Sequence, residues 1–375
     1  MNSRKNRYKK RLRTWQKAII LFVEVVLLCV VIVVWFLLEK FDKITVKEID
    51  REFIATNINE EIYEKNEELK GYTNYLLLGT DARDNSFEAM NTTGEGNTDA
   101  IIIASVNNDT KEVRLVSVYR DTLLFVPGGK SEFSDTYRKA TEAFFYSGVE
   151  ATISMINSNL DLDIKDFVMV NFEALIEIID AVGGIDLEID DNELYWINEY
   201  LRDTGLNTGR TYENVPHDGL VHLDGIQATA YCRIRYDKNL DYGRAERQRK
   251  VISLVFEKAK KMDVVQLNAA INSVIDNIVL SIPKAEILDM ARFVFDYDLV
   301  GQTGFPFDKF GSIKKVPEVD IADPVFCVTL ESNVSKLHQY LFNKVDYEPT
   351  KKVKEISDYL EMLFDKNNYP DNVYQ

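Results

Sequence analysis

The chain has 375 residues, a formal net charge of −16 at pH 7 and three cysteines. This length is enough for one large domain with its own core and short appendages. An acidic exterior repels nucleic acid, so no nucleic-acid partner is expected and any anion site must be local. The three histidines are scattered without metal-ligand spacing, which argues against zinc, and the cysteines are too few for a disulfide scaffold.

A basic segment followed by an apolar run opens the chain. Residues 1–17 contain eight Lys or Arg and no acid, and the 21 residues of Ala18–Leu38 carry one charge, Glu24. That length spans the core of a bilayer, and basic flanks lie on the cytoplasmic side. The basic segment could also be an arm that contacts DNA, but its position against the apolar run favours the topology signal.

These features predict a single-pass protein of the cell membrane with a cytoplasmic N-terminus. Its predicted parts are a cytoplasmic segment (1–17), one transmembrane helix (18–38), an extracellular stalk (39–71), a catalytic domain (72–345) and a polar C-terminal tail (346–375). The chain beyond Asn343 is expected to fray, because it is polar.

Three short apolar segments predict strands at the start of the main domain, at Tyr75–Gly79, Ala100–Val106 and Glu112–Val118. The turn residues Asn107–Thr110 join the second and third segments as a hairpin. A hairpin brings the start of its first strand beside the end of its second, so Asp99 should lie near Arg120 and Asp121. Asp81 and Arg83 join them if the first strand runs parallel to the third.

Helical and extended patterns alternate through the rest of the domain, which predicts an α/β fold, an α/β/α sandwich around a mixed sheet. The long segment Asp191–His222 contains three glycines and a proline and is interpreted as a binding loop or lid, with a helical piece at Tyr195–Leu201. Other predicted elements are helices at Thr141–Leu160, Glu173–Val182, Asp263–Ile278, Pro283–Val294 and Asn333–Phe342, and strands at Phe167–Phe172, Ile185–Ile189 and Phe326–Leu330.

Five arginines fall within the seventeen residues 233–249 of this acidic chain. Arg244, Arg247 and Gln248 have helical spacing, and an apolar stripe continues from them, so they should point inward. Arg233 and Arg235 share one face if their segment is extended. Buried guanidinium groups need anions and match phosphate oxygens in pairs, which favours an anion site. The alternative is a set of core ion pairs with acids such as Asp237, Asp241 and Glu246.

The two aspartates at the strand ends, Asp81 and Asp99, could hold Mg²⁺ or Mn²⁺ together with substrate phosphates. Each could equally be a turn or cap residue, a role in which aspartate is common. Arg120 is a candidate phosphate contact, and Asp121 is expected to pair with it. Lys139 is either a second phosphate contact or a solvated lysine at the start of a helix.

The order of several motifs resembles the LytR-CpsA-Psr family of cell-wall glycopolymer ligases. The matching pieces run from about Asn74 to Lys250 and are Leu77–Arg83, Thr98–Ile101, Val116–Thr122, Val170–Phe172, Asp180–Asp186, Leu223–Gly225, Tyr231–Arg235 and Asp241–Gln248. Three positions depart from the family pattern: Tyr119 stands where proline is usual, Asn97 where arginine is common, and Thr141 where asparagine would follow Lys139. The departures suggest that one phosphate contact is missing or replaced.

The resemblance implies an α/β/α sandwich with an apolar lipid pocket and a phosphotransferase reaction. A glycopolymer of the teichoic acid or capsule type would pass from a polyprenyl-diphosphate carrier to a hydroxyl of peptidoglycan. It further implies Mg²⁺ on Asp81 and Asp99, a catalytic set of Arg120, Asp121, Arg233, Arg235 and Arg244, and substrate contacts from Arg83, Lys139, Arg247 and Gln248. Two alternatives stay open, a lipid-diphosphate pyrophosphatase and a non-enzymatic transcriptional attenuator.

Overall fold

The computed structural model describes residues 46–64, 69–81, 98–128, 135–235, 240–274, 277–311 and 315–367. The predicted cytoplasmic segment, the predicted transmembrane helix at 18–38 and Arg83 lie outside these residues. Among the helices of the described ranges, none combines the length and apolar character needed to cross a bilayer.

Between Ala140 and Phe305 single strands are separated by helices, as the sequence predicted, whereas strands follow one another directly before and after this part. In chain order the strands are β1 (Tyr72–Thr80), β2 (Thr98–Asn107), β3 (Glu112–Val118), β4 (Leu123–Val126), β5 (Thr136–Lys139), β6 (Asp166–Val170), β7 (Ile185–Ile189), β8 (Gly219–Leu223), β9 (Val279–Leu280), β10 (Asp298–Phe305), β11 (Lys309–Gly311), β12 (Lys315–Val316), β13 (Ile321–Ala322) and β14 (Val325–Cys327). The helices are α1 (Arg51–Thr56), α2 (Glu60–Glu64), α3 (Ala140–Leu160), α4 (Phe172–Ala181), α5 (Asp191–Thr208), α6 (Gly225–Arg233), α7 (Leu240–Lys260), α8 (Val264–Val274), α9 (Lys284–Arg292), α10 (Leu330–Phe342) and α11 (Lys351–Lys366).

A six-stranded mixed sheet lies at the centre, with its strands in the order β10-β3-β2-β1-β6-β9. β2 runs antiparallel to both β1 and β3, so β1 and β3 point the same way, and β6 and β10 extend the sheet in parallel. The predicted mixed α/β sheet is therefore confirmed. The sequence prediction missed β10, because Gly301 and Gly304 interrupt its apolar pattern.

Helices cover both faces of this sheet. One core combines Leu76, Ile103 and Val116 of the sheet with residues of α3, α10 and α11. On the other face Tyr75, Ile102 and Leu115 pack with residues of α7 and α9. The alternation of inward side chains along each strand produces these two cores, since successive residues point to opposite faces.

A smaller core forms around the β7–β8 hairpin and helices α4, α5 and α6. The binding loop or lid predicted at Asp191–His222 is therefore wrong, because this segment contains the 18-residue helix α5 and strand β8. A capping box at Asp190 and Glu193 starts the helix, and Ile197 and Leu201 are buried on its inner side. Gly209, at φ +69°, ends it in the left-handed conformation.

The segment beyond Asn343 contains a core helix. α11 starts at a Thr350 cap and buries Val353, Ile356, Leu360 and Leu363 in the main core. The fraying predicted there is wrong, since the apolar residues recur at helical spacing. The predicted domain boundaries at 71 and 345 remain predictions.

Candidate functional site at the carboxyl ends of the strands

The site is built on an irregularity in the β1–β2 pairing. Gly79 pairs with Ala100 and Thr80 with Thr98, so that Asp99 is the extra residue of a β-bulge. Bulges bend a strand and redirect a side chain, and they are common beside active sites. The Asp99 carboxylate accepts a hydrogen bond from Arg120 and lies 3.7 Å from Nη1 of Arg244. The predicted proximity of Asp99 and Arg120 is thus confirmed.

Arg120 and its neighbours follow the end of β3. Nε of Arg120 lies 3.7 Å from Oδ1 of Asp121, and Nζ of Lys139 lies 3.0 Å from the same oxygen. Thr141 fixes the position of this loop, because its hydroxyl donates to the Thr98 carbonyl at 3.0 Å and its N–H donates to the Arg120 carbonyl at 3.0 Å. Burial works to lower the pKa of Arg120, but the three surrounding aspartates outweigh it and raise that pKa.

Asp241 contacts two arginines of the sequence segment 233–249, Arg235 and Arg244. Nη2 of Arg244 lies 2.9 Å from Oδ1 of Asp241, and Nε of Arg235 lies 3.0 Å from the same atom. Burial opposes the ionisation of Asp241, but Arg244 and Arg235 outweigh it and hold its pKa below the usual range. In the sequence Asp241 was identified only as a possible ion-pair partner, although its i,i+3 spacing to Arg244 indicates a contact on one helix face.

The network contains four cationic groups, on Arg120, Lys139, Arg235 and Arg244, and three carboxylates, on Asp99, Asp121 and Asp241. These cationic groups lie together in a chain with a net charge of −16. Arg244 is 5% exposed, and burial lowers its pKa against the opposing effect of Asp99 and Asp241. Since each of these arginines already contacts a carboxylate, an anion can enter by exchanging carboxylate contacts for its own oxygens.

Arg233 and Arg247 are held apart from this network by helix α5. Arg233 donates to the Thr204 hydroxyl at 2.8 Å and to the Asp203 carboxylate, and its guanidinium lies 4.6 Å from the centroid of the Phe172 ring. Arg247 donates to Glu193 at 3.0 Å and to the Ile234 carbonyl at 3.3 Å.

The expectation that Arg233 and Arg235 share one face of an extended segment is wrong. Arg233 is the last residue of α6, and Ile234 caps that helix. The predicted cluster therefore divides, with Arg235 and Arg244 at Asp241 and with Arg233 and Arg247 at acids of α5. Glu193 and Asp203 were not predicted as partners, because their segment was interpreted as a loop and its helix α5 is set by tertiary packing.

Three other predicted site residues are Asp81, Gln248 and Arg83, and the structure describes the first two. Asp81 is exposed and directly follows β1, which ends beside Thr98 at the same edge as Asp99. Gln248 is half-buried on α7, and Arg83 lies outside the described residues.

No cluster of three or more potential metal-ligating acids, cysteines or histidines occurs within the described ranges. Mg²⁺ is commonly bound by one or two carboxylates together with phosphate oxygens of the substrate. Asp81 and Asp99 can supply the carboxylate ligands, and a bound phosphate has to supply the others.

A cavity of about 670 Å³ lies at the end of the sheet opposite to the candidate site, where β1 begins. Its lining includes Tyr72, Tyr75, Asp166 and Glu286, and Tyr75 donates a hydrogen bond of 2.5 Å to Glu286. The mixture of acidic and aromatic side chains differs from the apolar lipid pocket that the resemblance implies. That pocket remains a prediction.

Fold and site together define an α/β protein with a bulged central strand and a network of arginines and aspartates at the strand ends. Residues 39–304 match the model of the LytR_cpsA_psr family. The chain belongs to this family.

Two curated relatives have names that bear on function. The chain is 32% identical over 228 residues to the polyisoprenyl-teichoic acid–peptidoglycan teichoic acid transferase TagU of Enterococcus faecalis, covering 59% of this chain and 64% of the relative. It is 31% identical over 238 residues to biofilm regulatory protein A of Streptococcus mutans, covering 60% and 56%. The chain thus spans less than two thirds of the length of both relatives.

Solved structures support the fold. The protein gbs0355 from Streptococcus agalactiae superposes with a TM-score of 0.60 at 21% identity, covering 78% of this chain and 93% of that one. TagT with bound octaprenyl pyrophosphate lipid superposes with a TM-score of 0.51 at 20% identity, covering 80% and 93%.

Proposed function

We propose that this protein is a phosphotransferase that moves a glycopolymer, of the teichoic acid or capsule type, from a polyprenyl-diphosphate carrier to a hydroxyl of peptidoglycan. The observation that carries the proposal is the placement of Arg120 and Arg244 on the two oxygens of one bulged aspartate, Asp99. Membership of the LytR_cpsA_psr family and the name of the Enterococcus faecalis relative support this choice of reaction.

In the proposed reaction the acceptor hydroxyl oxygen forms a bond to the phosphorus that bears the polymer. The bond from that phosphorus to the oxygen of the lipid phosphate breaks, polyprenyl phosphate leaves, and the hydroxyl proton passes to a base. An aspartate near the proposed metal site is the proposed base.

The arginines supply positive charge where the leaving phosphate gains negative charge. Arg120, Arg235 and Arg244 are already oriented by Asp99 and Asp241, so binding a diphosphate requires little reorganisation of the site. Arg233, Arg247, Gln248 and Lys139 lie on the elements around this centre and are proposed to contact the sugar or the outer phosphate oxygens. When bound by Asp81 and Asp99, Mg²⁺ would neutralise diphosphate charge.

The proposed location is the outer face of the cell membrane, with residues 18–38 as the anchor and the site outside. The basic segment 1–17 supports this topology, because positively charged flanks stay in the cytoplasm. Peptidoglycan and lipid-linked glycopolymer are the proposed partners.

The test compares full-length protein in detergent micelles with Arg120→Ala and Arg244→Ala, using a lipid-linked glycopolymer with and without peptidoglycan oligomers. We expect each variant to lose transfer by roughly 100-fold, because a preorganised charge donor is removed. Arg292→Ala, in an exposed ion pair on α9, is the matched control. Normal transfer by both variants would contradict the mechanism, and release of polyprenyl phosphate without acceptor would indicate a pyrophosphatase.

A further inference from the structure

Thr141 links the two sides of the contact between Asp99 and Arg120. It is 3% exposed and is the second residue of α3. Its hydroxyl donates a buried hydrogen bond of 3.0 Å to the carbonyl of Thr98, whose peptide bond leads directly into Asp99. Its backbone N–H donates to the carbonyl of Arg120, also at 3.0 Å. One residue therefore connects the strand that carries Asp99 with the loop that carries Arg120.

The backbone part of this link does not depend on the type of residue at position 141. The first N–H groups of a helix have no acceptor within that helix, and the N-cap residue Lys139 supplies no side-chain acceptor. Carbonyls of the loop accept these bonds instead, because Ala140 donates to Thr122 at 2.9 Å and Thr141 donates to Arg120. Of the two links that Thr141 makes, the hydroxyl bond is the one that depends on its side chain.

The hydroxyl bond acts beside the β-bulge, where the pairing of the strands is irregular. Asp99 is the extra residue between the Gly79–Ala100 and Thr80–Thr98 pairs. The extra residue of a bulge lacks regular ladder contacts, so the orientation of its peptide units depends on other partners. A donor on the Thr98 carbonyl restricts rotation of the peptide that joins Thr98 to Asp99, and so restricts the direction of the Asp99 side chain.

The same bond explains why Thr141 does not replace a phosphate contact. The sequence has threonine here where the family pattern has asparagine, and this departure suggested a missing or replaced contact. A hydroxyl has one hydrogen to donate, and Thr141 donates it to the Thr98 carbonyl in a buried position. The same hydrogen cannot be donated to a phosphate oxygen.

We propose that Thr141 is a positioning residue of the transfer reaction, whose hydroxyl holds Asp99 against Arg120 without contacting the substrate. The effect on rate rests on the proposed function, whereas the effect on the ion pair does not. A misplaced charge loses more of its interaction with the transition state than of its interaction with the bound substrate. Loss of the hydroxyl should therefore lower kcat and leave KM unchanged.

The test compares full-length Thr141→Val, which keeps the side-chain volume without the hydroxyl, with Thr141→Ser, which keeps the hydroxyl. Thr152→Val is the matched control, because Thr152 is a buried residue further along α3 whose hydroxyl donates to the Gly148 carbonyl at 2.9 Å. With lipid-linked glycopolymer and peptidoglycan oligomers as substrates, Thr141→Val should lower kcat roughly tenfold with KM unchanged. Thr141→Ser should keep most of the wild-type kcat, and Thr152→Val should keep all of it. Both valine variants should lower Tm by a few degrees, since each loses one hydrogen bond.

A double-mutant cycle tests the positioning role without the reaction. Asp99→Asn and Arg120→Gln, made singly and together, give the coupling of this pair from urea unfolding. The coupling should fall by roughly half or more in the Thr141→Val background and stay unchanged in the Thr152→Val background.

Three results would overturn the inference: a raised KM with normal kcat in Thr141→Val, an equal loss of kcat in both valine variants, or an unchanged coupling between Asp99 and Arg120. If the wild-type protein transfers no polymer, the proposed function fails. The cycle then still decides whether Thr141 holds the pair, so the two failures are distinguishable.

Discussion

The carboxylate of Asp241 contacts the guanidinium groups of Arg235 and Arg244 and helps to orient both. Arg235 and Arg244 both lie within 3.0 Å of its Oδ1, and Arg244 also lies 3.7 Å from Asp99, so a neutral Asp241 would weaken the orientation of both guanidinium groups. A charged carboxylate that holds cations in place for a second anion is a common design for phosphate sites, since the cations are oriented before the substrate arrives.

The pH dependence of stability should reveal this interaction. Because folding holds the pKa of Asp241 below its usual value of 3.8, the ion pairs contribute fully above that value and are lost as the pH falls through the folded pKa. Arg244→Gln removes one cation, so the pKa of Asp241 should rise toward its unfolded value, and the part of the stability that is lost in acid should become smaller. Urea unfolding across the acid range measures the shift, with Arg292→Gln as the control. An acid limb identical to that of wild type would contradict it.

Glu193 provides a second prediction at the level of the residue. It accepts a hydrogen bond from Arg247, whose side chain is 8% exposed, and it also closes the capping box of α5. Glu193→Gln keeps a side chain that can complete the capping box but removes the charge. We expect the free energy of unfolding to fall by roughly 1–3 kcal/mol, because the buried guanidinium of Arg247 loses its charged hydrogen-bond partner.

The matched control for Glu193 is Glu355→Gln, which removes one member of an exposed i,i+4 pair on α11. Such pairs contribute little, so its free energy of unfolding should change by less than about 0.5 kcal/mol. Chemical denaturation of both variants makes the comparison. Equal effects would show that the burial of Arg247 does not matter.

At the scale of the element, helix α3 contains a break that its apolar pattern does not show. Gly148 has φ +81° and ψ −171°, far from helical values, and the helix bends there between its buried Phe144 and Val149. The sequence predicts one helix over Thr141–Leu160, and the bounds agree with the structure to one residue. The kink was missed because a single glycine within a helical pattern is compatible with a straight helix.

Gly148→Ala tests this conformation. The dihedral angles of Gly148 are essentially restricted to glycine, so a Cβ should cost roughly 1–3 kcal/mol in the free energy of unfolding. Gly71→Ala is the control, because Gly71 has a negative φ and no heavy atom within 4 Å of an added Cβ. If both variants unfold at the same denaturant concentration, the backbone at Gly148 is not strained by a side chain.

At the scale of the whole molecule, the main core depends on the C-terminal helix. Val353, Ile356, Leu360 and Leu363 of α11 are buried in the main core, where this helix packs against α3 and α10. Each buried aliphatic side chain contributes roughly 1.5–3 kcal/mol, so their sum is comparable to the whole stability of a typical domain. The helix is therefore part of the domain that carries the site, even though it is distant from the site in sequence.

Truncation after residue 345 should therefore abolish cooperative unfolding, whereas truncation after residue 367 should preserve it. Circular dichroism during thermal unfolding measures both proteins under the same conditions. Cooperative unfolding of the shorter protein at the wild-type Tm would show that α11 is dispensable.

The sequence by itself determined the mixed α/β fold, the strand bounds near the site and the meeting of Asp99 with Arg120. These depend on local rules, since alternation, turn residues and hairpin geometry act over a few positions. It also identified the arginines as a charged group inside an acidic chain.

Only the tertiary structure decided how those arginines divide between Asp241 and the acids of α5. It alone shows that the Nε and Nη1 atoms of Arg249 are buried without a hydrogen-bond partner among the described residues. The partner of a charged side chain depends on segments that come together from distant parts of the chain. Periodicity says which face of a helix is buried, but it does not say which element covers that face.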